Sequence, residues 1–469
     1  MKSSKAYFWG ILSRFAPQGV YLITTMILAR YLTPDDFGMI GVLSVIFLVA
    51  NILLDSGLGG SLIQEKEIKD IDCSTICIFN ISIASIIYVI LYLFSSRLES
   101  FFAIEGLAGI VKTISLVFPI TAFGIVPSAI LKRELKFKQI FISTLIGVIL
   151  ASIISILAAV SDFGAYSLVI YQIVVNAIIV IGNTYFSKFK ITFAFSINSL
   201  RHLLPFGVWT SLVTIIDTVY ENLMTMLTGK YLNVQQAGYL YQAKRLEETM
   251  STSFAMAVGI VAFPVLTRLK EDLRSFREEA NRTFAIIVLC IFPLLMTVAL
   301  FSKGILILLF GGQWEPASFY LKILMFCGLF ILMDQLCVSF IKSLGKVRQL
   351  TTITIIKRSI GIILLFTTLI YKPESLIYAY LISTIVAFII NMASYIKMSE
   401  TSFGRIALIM VKAIIPSLLY YCICSLVMTN YNFLHAIVVS ILFLVAYYFV
   451  YMKMIGYNMI NIVKGFMHS

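Results

Sequence analysis

Long apolar segments occupy most of this chain and constrain its fold more than any other feature. A membrane-spanning helix needs about 20 mostly apolar residues, and the connections here are short, the longest being 55–72, 188–202 and 263–282. Because a bilayer offers no water to backbone N–H and C=O groups, such segments are expected to form helices. The fourteen predicted spans are 7–32, 37–54, 73–94, 107–131, 139–160, 163–187, 203–229, 236–262, 283–310, 317–341, 347–370, 375–396, 406–428 and 433–452.

Composition excludes an ordinary soluble protein. Hydrophobic residues make up 60% of the chain and charged residues 13%, whereas about 25% of the residues in soluble domains are charged. The net charge of +13 would suit nucleic acid elsewhere. Here the basic residues lie between apolar segments, which is typical of topology signals that face anionic lipid. We therefore predict an all-α polytopic membrane protein whose partners include membrane lipid and exclude nucleic acid.

The distribution of basic residues predicts the orientation. Lys and Arg concentrate in cytoplasmic loops. With both termini in the cytoplasm, the inside segments contain 23 Lys and Arg. The outside loops contain only Arg97 and Lys372, with Arg30 and Lys230 at helix ends. Omitting one helix would scramble this alternation, so the split supports an even number of spans.

An internal repeat divides the chain. Residues 30–38 (RYLTPDDFG) match residues 230–238 (KYLNVQQAG) at an offset of 200. Each copy joins the first two helices of a six-helix block, and the even number of intervening spans gives both copies the same orientation. This predicts parallel repeats related by an axis along the membrane normal. The predicted organisation is an N-lobe at 1–187, a cytoplasmic linker at 188–202, a C-lobe at 203–396, and two further helices with a cytoplasmic tail at 397–469.

The first copy of the repeat also has the signature of a helix start. Thr33 can cap the second helix, Pro34 suits its first position, and Asp35 and Asp36 complement the helix dipole. The alternative is an external catalytic acid of a membrane glycosyltransferase. Capping is favoured, because the second copy has Gln235 and Gln236 in the place of the two acids.

Four stretches together resemble the polysaccharide transporter (Wzx-type flippase) family of the multidrug/oligosaccharidyl-lipid/polysaccharide superfamily. They lie in order along residues 1–400, at the ends of predicted helices. The four stretches are Leu28–Gly38, Asp55–Gln64, Pro127–Phe137 and Phe310–Trp314.

The resemblance implies a fold, a cargo and a location. The fold is two six-helix lobes in a V that opens alternately to either side of the membrane. The cargo is an undecaprenyl-pyrophosphate-linked oligosaccharide, moved across the bacterial inner membrane for O-antigen, capsule or exopolysaccharide synthesis. Polymerase and chain-length proteins of the same pathway are the implied protein partners.

Basic residues inside predicted spans are the candidate cargo ligands. They lie roughly 10–16 Å deep at 1.5 Å per residue, where a charge is costly and usually faces a cavity or a partner. Guanidinium and ammonium groups suit a pyrophosphate, and Arg can bind it through two parallel hydrogen bonds. The candidate residues are Arg14, Lys244, Arg245, Lys357 and Arg358.

Acidic residues in the spans support two further interpretations. Asp217 and Glu221 share one helix face at i, i+4, and Glu247 and Glu248 follow shortly after Lys244 on the next helix. These acids can neutralise the basic residues structurally. Alternatively, Asp217 and Glu221 can bind a driving proton or sodium ion, in which case this ion couples transport.

A transporter is favoured over an enzyme. No glycine-rich phosphate loop, zinc-ligand spacing or catalytic triad is found in the sequence. We therefore predict no catalytic residue, metal or cofactor. A glycosyltransferase or polymerase needs a folded external loop, and every outside loop is about a dozen residues or shorter. Within transporters, the alternatives are a peptidoglycan-precursor flippase and a multidrug or cation exporter.

Overall fold

The computed structural model describes residues 2–55, 58–65, 69–190, 192, 194–430, 433–454 and 456. Within these ranges the chain is helical, and the bounds of its helices follow. They are α1 (Lys2–Tyr31), α2 (Pro34–Asp55), α3 (Leu58–Gln64), α4 (Asp70–Phe102), α5 (Leu107–Ile114), α6 (Val117–Arg133), α7 (Phe137–Val160), α8 (Tyr166–Ser187), α9 (Ile197–Tyr231), α10 (Val234–Arg268), α11 (Leu273–Leu300), α12 (Ser302–Phe310), α13 (Ala317–Ser343), α14 (Val347–Tyr371), α15 (Leu376–Ser399), α16 (Phe403–Asn430) and α17 (Phe433–Val445), which continues as a π-helical turn over Ala446–Tyr451.

The predicted helical class is confirmed, and a helix lies at each predicted span. Ten helices among the described residues are long and apolar enough to cross a membrane, so the chain is a multi-pass membrane protein. The count of fourteen spans stays a prediction. Predicted span 107–131 is broken between α5 and α6. The break lies at Ser115 and Leu116, within one span that runs over Leu107–Arg133. It comes three to four residues before Pro119, which has no backbone N–H and whose ring crowds the carbonyl four positions earlier, so a bend is expected there.

Two compact units make up the chain. The first contains Met1–Tyr241 and Leu309–Trp314. In it α7 packs against α1 and α8, α6 packs against α4 and α8, and α9 packs against α2, α3 and α4. The predicted boundary between the two lobes lies elsewhere, in the linker at 188–202. That boundary and the arrangement of the lobes are inferred from the sequence repeat, and they stay predictions.

Small residues bring α7 and α8 together. A Cβ at Gly182 would lie 2.5 Å from Ser143 Oγ, and a Cβ at Gly147 would lie 3.2 Å from the carbonyl oxygen of Val175. Apolar helices gain little by burying side chains away from lipid, so close van der Waals contact across small residues stabilises their association. These two glycines therefore determine how near the helices approach.

The second unit contains Gln242–Leu308 and Glu315–Ser469. Here α13 packs against α11 and α15, and α14 packs against α15. Helix α16 packs against α11 and against α17, which follows it in the chain. The Thr297 and Tyr420 hydroxyls are 3.0 Å apart and link α11 to α16. The rings of Tyr420 and Phe443 stack at 4.1 Å and link α16 to α17. The last helices are therefore an integral part of this unit.

The predicted cap of α2 is confirmed. The helix begins at Pro34, and the backbone N–H of Asp36 donates to Thr33 Oγ1 at 3.4 Å while Thr33 N donates to Asp36 Oδ2 at 2.8 Å. The same device recurs in the second copy of the repeat, where Gln236 N donates to Asn233 Oδ1 at 2.8 Å. Each helix start therefore satisfies one of its exposed N–H groups locally.

The contact between α7 and α8 can be tested by overpacking. We expect Gly182→Ala to lower the stability of the purified protein by about 1–3 kcal/mol, because the added methyl group meets Ser143. Gly182→Ala combined with Ser143→Gly should regain most of the loss. Gly10→Ala is the matched control, since a Cβ there meets nothing within 4 Å. Thermal unfolding in detergent measures all three, and an unchanged melting temperature for Gly182→Ala would contradict the close approach.

Candidate functional site

Three buried polar side chains on neighbouring helices form a cluster inside the second unit. Lys357 Nζ on α14 is 2.7 Å from Asp334 Oδ2 on α13. Asn391 Nδ2 on α15 donates to the other carboxylate oxygen of Asp334. The Lys357 side chain is 3% exposed and the Asp334 side chain 12%. A charge so far from water needs a partner, and here the lysine and the carboxylate neutralise each other.

The sequence predicts Lys357 either to bind cargo or to pair with an acid inside the membrane, and this cluster shows that it pairs with an acid. The expectation that some basic residues of the spans pair with intramembrane acids is confirmed for Lys357. A direct role of Lys357 in binding cargo stays a prediction. Asn391 Oδ1 has no hydrogen-bond partner among the described residues, so the cluster retains one buried acceptor that a proton donor could occupy.

Helix α10 presents a second group of charges. Lys244 Nζ is 3.5 Å from Glu248 Oε1 one turn further on, with the Lys244 side chain 7% exposed and the Glu248 side chain 50% exposed. Glu247 is buried, and Ser251 Oγ donates to its carboxylate. A Cβ at Gly328 of α13 would lie 2.9 Å from Glu247 Oε1, so this glycine makes room for the carboxylate. Lys244 is thus another predicted cargo ligand that pairs with an acid.

The remaining predicted site residues have these positions. Arg245 on α10 and Arg358 on α14 are half-buried and follow Lys244 and Lys357 directly. Asp217 is half-buried and Glu221 exposed, one turn apart on α9. Arg14 lies in α1, but its side chain is outside the described residues. The proposed roles of these five residues in binding cargo or a coupling ion stay predictions.

Sequence reasoning missed Asp334 and Asn391. Asp334 could have been found, because an acid in the middle of the apolar segment 317–341 is costly and implies a partner. Asn391 carries no such signal, because an uncharged amide does not require an ion-pair partner. Only the packing of α13, α14 and α15 shows which groups meet.

Two of the four stretches that carry the family resemblance meet at the end of α1. Trp314 Nε1 donates to the carbonyl oxygen of Ala29 at 2.8 Å. Gln313 Nε2 donates to Ala29 O at 2.8 Å and to Leu32 O at 3.1 Å. The last carbonyls of a helix lack intrahelical partners. Phe310–Trp314 therefore caps the end of α1 from almost 300 residues away.

The other two stretches also meet, at α3. The Arg133 guanidinium, at the end of α6, donates to the carbonyl oxygen of Leu62 at 3.2 Å and to that of Glu65. A cation at a helix C-terminus is favourable both as a hydrogen-bond donor and against the helix dipole. All four stretches are thus partners in long-range contacts, which gives the resemblance a structural basis.

The sequence also matches a known protein family over the region that contains these contacts. Residues 27–319, more than half of the chain, match the family described as "Polysaccharide biosynthesis protein". The match contains all four stretches in full. The chain belongs to this polysaccharide biosynthesis protein family.

Several proteins with curated names are similar to the chain. One is "Lipopolysaccharide biosynthesis protein WzxC" of Escherichia coli (strain K12), 24% identical over 68% of this chain and 66% of that protein. Another is "Succinoglycan biosynthesis transport protein ExoT" of Rhizobium meliloti (strain 1021), 24% identical over 66% of this chain and 63% of that protein. The aligned region thus spans slightly less than two thirds of these relatives.

Solved structures show that this family member has the fold of the superfamily that its sequence resembles. "Lipid II flippase MurJ, inward closed conformation" superposes with a TM-score of 0.72, covering 97% of this chain and 99% of that one at 16% identity. An inward-facing multidrug resistance MATE family transporter of the MOP superfamily superposes with a TM-score of 0.59, covering 84% of this chain and 99% of that one at 15% identity. At these identities the superpositions show a shared fold.

The buried ion pair can be tested by removing one or both charges. We expect Lys357→Met to destabilise the protein by about 3–5 kcal/mol, since it leaves the Asp334 carboxylate buried without its lysine. The double variant Lys357→Met/Asp334→Leu should recover most of that loss. Lys397→Met, at an exposed position of α15, is the control for losing a lysine. Thermal unfolding and membrane protein level report the effect.

The same variants separate a structural role from a transport role. A double variant as unstable as the single variant would contradict the pairing. A stable double variant that no longer supports polysaccharide export would mean that Lys357 or Asp334 acts in transport itself.

Proposed function

We propose that this protein is a flippase for lipid-linked oligosaccharide. It moves undecaprenyl-pyrophosphate-linked oligosaccharide units across the bacterial inner membrane for the synthesis of a surface polysaccharide. The match of residues 27–319 to the polysaccharide biosynthesis protein family carries this proposal. The names of the relatives, which include a succinoglycan biosynthesis transport protein, support it.

The physical chemistry of the spans suits such a cargo. A pyrophosphate carries several negative charges, and a large polar saccharide head cannot cross hydrocarbon unaided. Arg245 is half-buried beside the lysine–glutamate pair of Lys244 and Glu248, in the part of α10 where a guanidinium is costly unless it has a function or a partner. Arg14 and Arg358 are the other guanidinium groups proposed to contact the pyrophosphate. In this proposal both termini are cytoplasmic, and proteins of polymerisation and chain-length control take up the product outside.

A second candidate cargo is a peptidoglycan lipid precursor. It is favoured by the superposition on the lipid II flippase, which covers 97% of this chain. Both cargoes combine a polyprenyl tail, phosphate groups and a saccharide head, so the same fold can serve either. The multidrug or cation exporter is less favoured, because the MATE family transporter covers only 84% of the chain.

Reconstitution tests the function directly. Purified protein in proteoliposomes is expected to expose fluorescent undecaprenyl-pyrophosphate-linked oligosaccharide to an added impermeant quencher faster than protein-free vesicles do. Lipid II is the competing substrate. Flipping of lipid II alone would favour the second candidate cargo, and flipping of neither would refute a flippase.

The cargo-charge hypothesis is tested at Arg245. We expect Arg245→Ala to slow flipping about tenfold or more, because a charge-assisted hydrogen bond to phosphate is lost. Arg245→Lys should be milder, as it retains the charge without the planar fork. Arg268→Ala, at the exposed end of the same helix, is the matched control. If Arg245→Ala flips at the wild-type rate, the cationic contact is not at this residue.

Energy coupling is assigned by hypothesis to Asp217 and Glu221. One charge moved across the membrane gains about 2.3 kcal/mol per 100 mV, enough to bias a conformational cycle. We expect Asp217→Asn or Glu221→Gln to slow flipping and to change its dependence on an imposed proton or sodium gradient. A structural role for these acids predicts lower thermal stability with unchanged ion dependence. Wild-type rates and ion dependence in both variants would refute the coupling role.

A further inference from the structure

Equivalent residues of the two repeat copies contact each other at the starts of α2 and α10. Gly38 and Gly238 are equivalent at the offset of 200. A Cβ at Gly38 would overlap the carbonyl oxygen of Val234, and a Cβ at Gly238 would overlap that of Pro34. Pro34 and Val234 are themselves equivalent. Each glycine therefore abuts the first helical residue of the other copy, and the contact is reciprocal.

A third contact lies close to the symmetry axis. Gly41 and Tyr241 are also equivalent, and a Cβ at Gly41 would lie 3.0 Å from Tyr241 Cβ. In a two-fold relation a residue near the axis faces its own equivalent, and residues further away make exchanged pairs. The three contacts fit one local two-fold axis. We call the residues Gly38, Gly238, Gly41 and Tyr241 the glycine contact.

The loop before α13 covers this contact. Trp314 is fully buried, and its ring packs edge-on against Phe37 of the first copy at 5.2 Å and Tyr239 of the second copy at 6.1 Å. Its indole N–H donates to Ala29 at the end of α1. One side chain thus contacts residues of three helices, α1, α2 and α10.

The glycine contact is built so that it can separate. At Gly38 and Gly238 the facing atoms are mainly backbone, so parting α2 from α10 at these two positions requires no rotamer change of the glycines themselves. One N–H group in the first turn of each helix is satisfied by the residue just before that helix, Asp36 N by Thr33 and Gln236 N by Asn233. These hydrogen bonds do not cross the contact, so separation leaves them intact. Backbone packing across glycines is tight but adds no polar bond that must break.

The charge distribution places this contact on the outside. The loops that join α1 to α2 and α9 to α10 belong to the side with few Lys and Arg, so they face away from the cytoplasm. Two parallel repeats that alternate between openings must touch at the face that is closed and part at the face that is open. We propose that the glycine contact is the external closure of the transport path, and that α2 and α10 separate there to release cargo. That the cargo is a lipid-linked oligosaccharide rests on the proposed function, whereas the closure itself does not.

Cross-linking tests the closure during transport. Cβ atoms in disulfides are about 3.5–4.5 Å apart, so a small adjustment allows Gly41→Cys and Tyr241→Cys to form one, with the exposed Cys422 replaced by serine. A protease site in the 188–202 linker reports the bond, since linked fragments migrate together until reduced. Oxidation is expected to lower flipping of the lipid-linked oligosaccharide to the rate of protein-free vesicles, and reduction to restore it. Each single-cysteine variant should be insensitive to oxidation.

Accessibility tests the same closure without any cargo. Val42 is fully buried beside Gly229, so Val42→Cys should be protected from an impermeant thiol reagent added outside. In the Gly38→Ala/Gly238→Ala background the added methyl groups hold the copies apart, and labelling should rise about tenfold. Gly19→Ala is the matched control, because a Cβ there meets nothing within 4 Å. Ala151→Cys, buried on α7, should stay protected, which excludes misfolding.

The outcomes separate this inference from the proposed function. Three results would each overturn the external closure. They are cross-linked protein that flips cargo as fast as protein whose disulfide has been reduced, failure of the two cysteines to cross-link, and unchanged labelling at Val42→Cys. If the wild-type chain flips no lipid-linked oligosaccharide while labelling rises as expected, the proposed function is wrong and the closure stands.

Discussion

The absence of water inside the bilayer is the constraint on which this structure depends. Every backbone polar group there must find a partner in the protein, so the apolar segments fold as helices. The same constraint acts at the helix ends and on the few buried charges. Gln313 and Trp314 satisfy carbonyl groups at the end of α1, and Arg133 satisfies those of α3. Lys357 and Asp334 satisfy each other.

With little hydrophobic driving force between helices, shape decides how they pack. Gly182 accommodates Ser143 between α7 and α8, and Gly328 accommodates the buried carboxylate of Glu247. The glycines at equivalent positions of the repeat bring the backbones of α2 and α10 into contact in the same way. In each case the missing side chain creates a close approach that no larger residue allows.

The internal repeat links this packing to the proposed transport cycle. Duplicated sequences give matching helix starts, capped by Thr33 in one copy and by Asn233 in the other. Matching surfaces can pair reciprocally about a two-fold axis, and a contact made mainly of backbone at Gly38 and Gly238 is suited to repeated separation. The charged residues of α10 and α14 lie elsewhere in the sequence and are the groups proposed to bind the pyrophosphate of the cargo.

The sequence by itself determined where the helices lie, how α2 begins, that the chain contains a repeat, and which superfamily it resembles. These properties depend on local composition, on residues a few positions apart, or on recurring motifs, and such signals can be recognised without knowing the fold. The break just before Pro119 also follows from a local rule, because proline has no backbone N–H and crowds the carbonyl four residues earlier. Only the tertiary structure decided that Asp334, 23 residues before Lys357, is the partner of that lysine, and that Trp314 lies against Ala29, 285 residues earlier. These pairings follow from which helices become neighbours, and that is determined by the fit of small residues across many helices at once rather than by any local pattern.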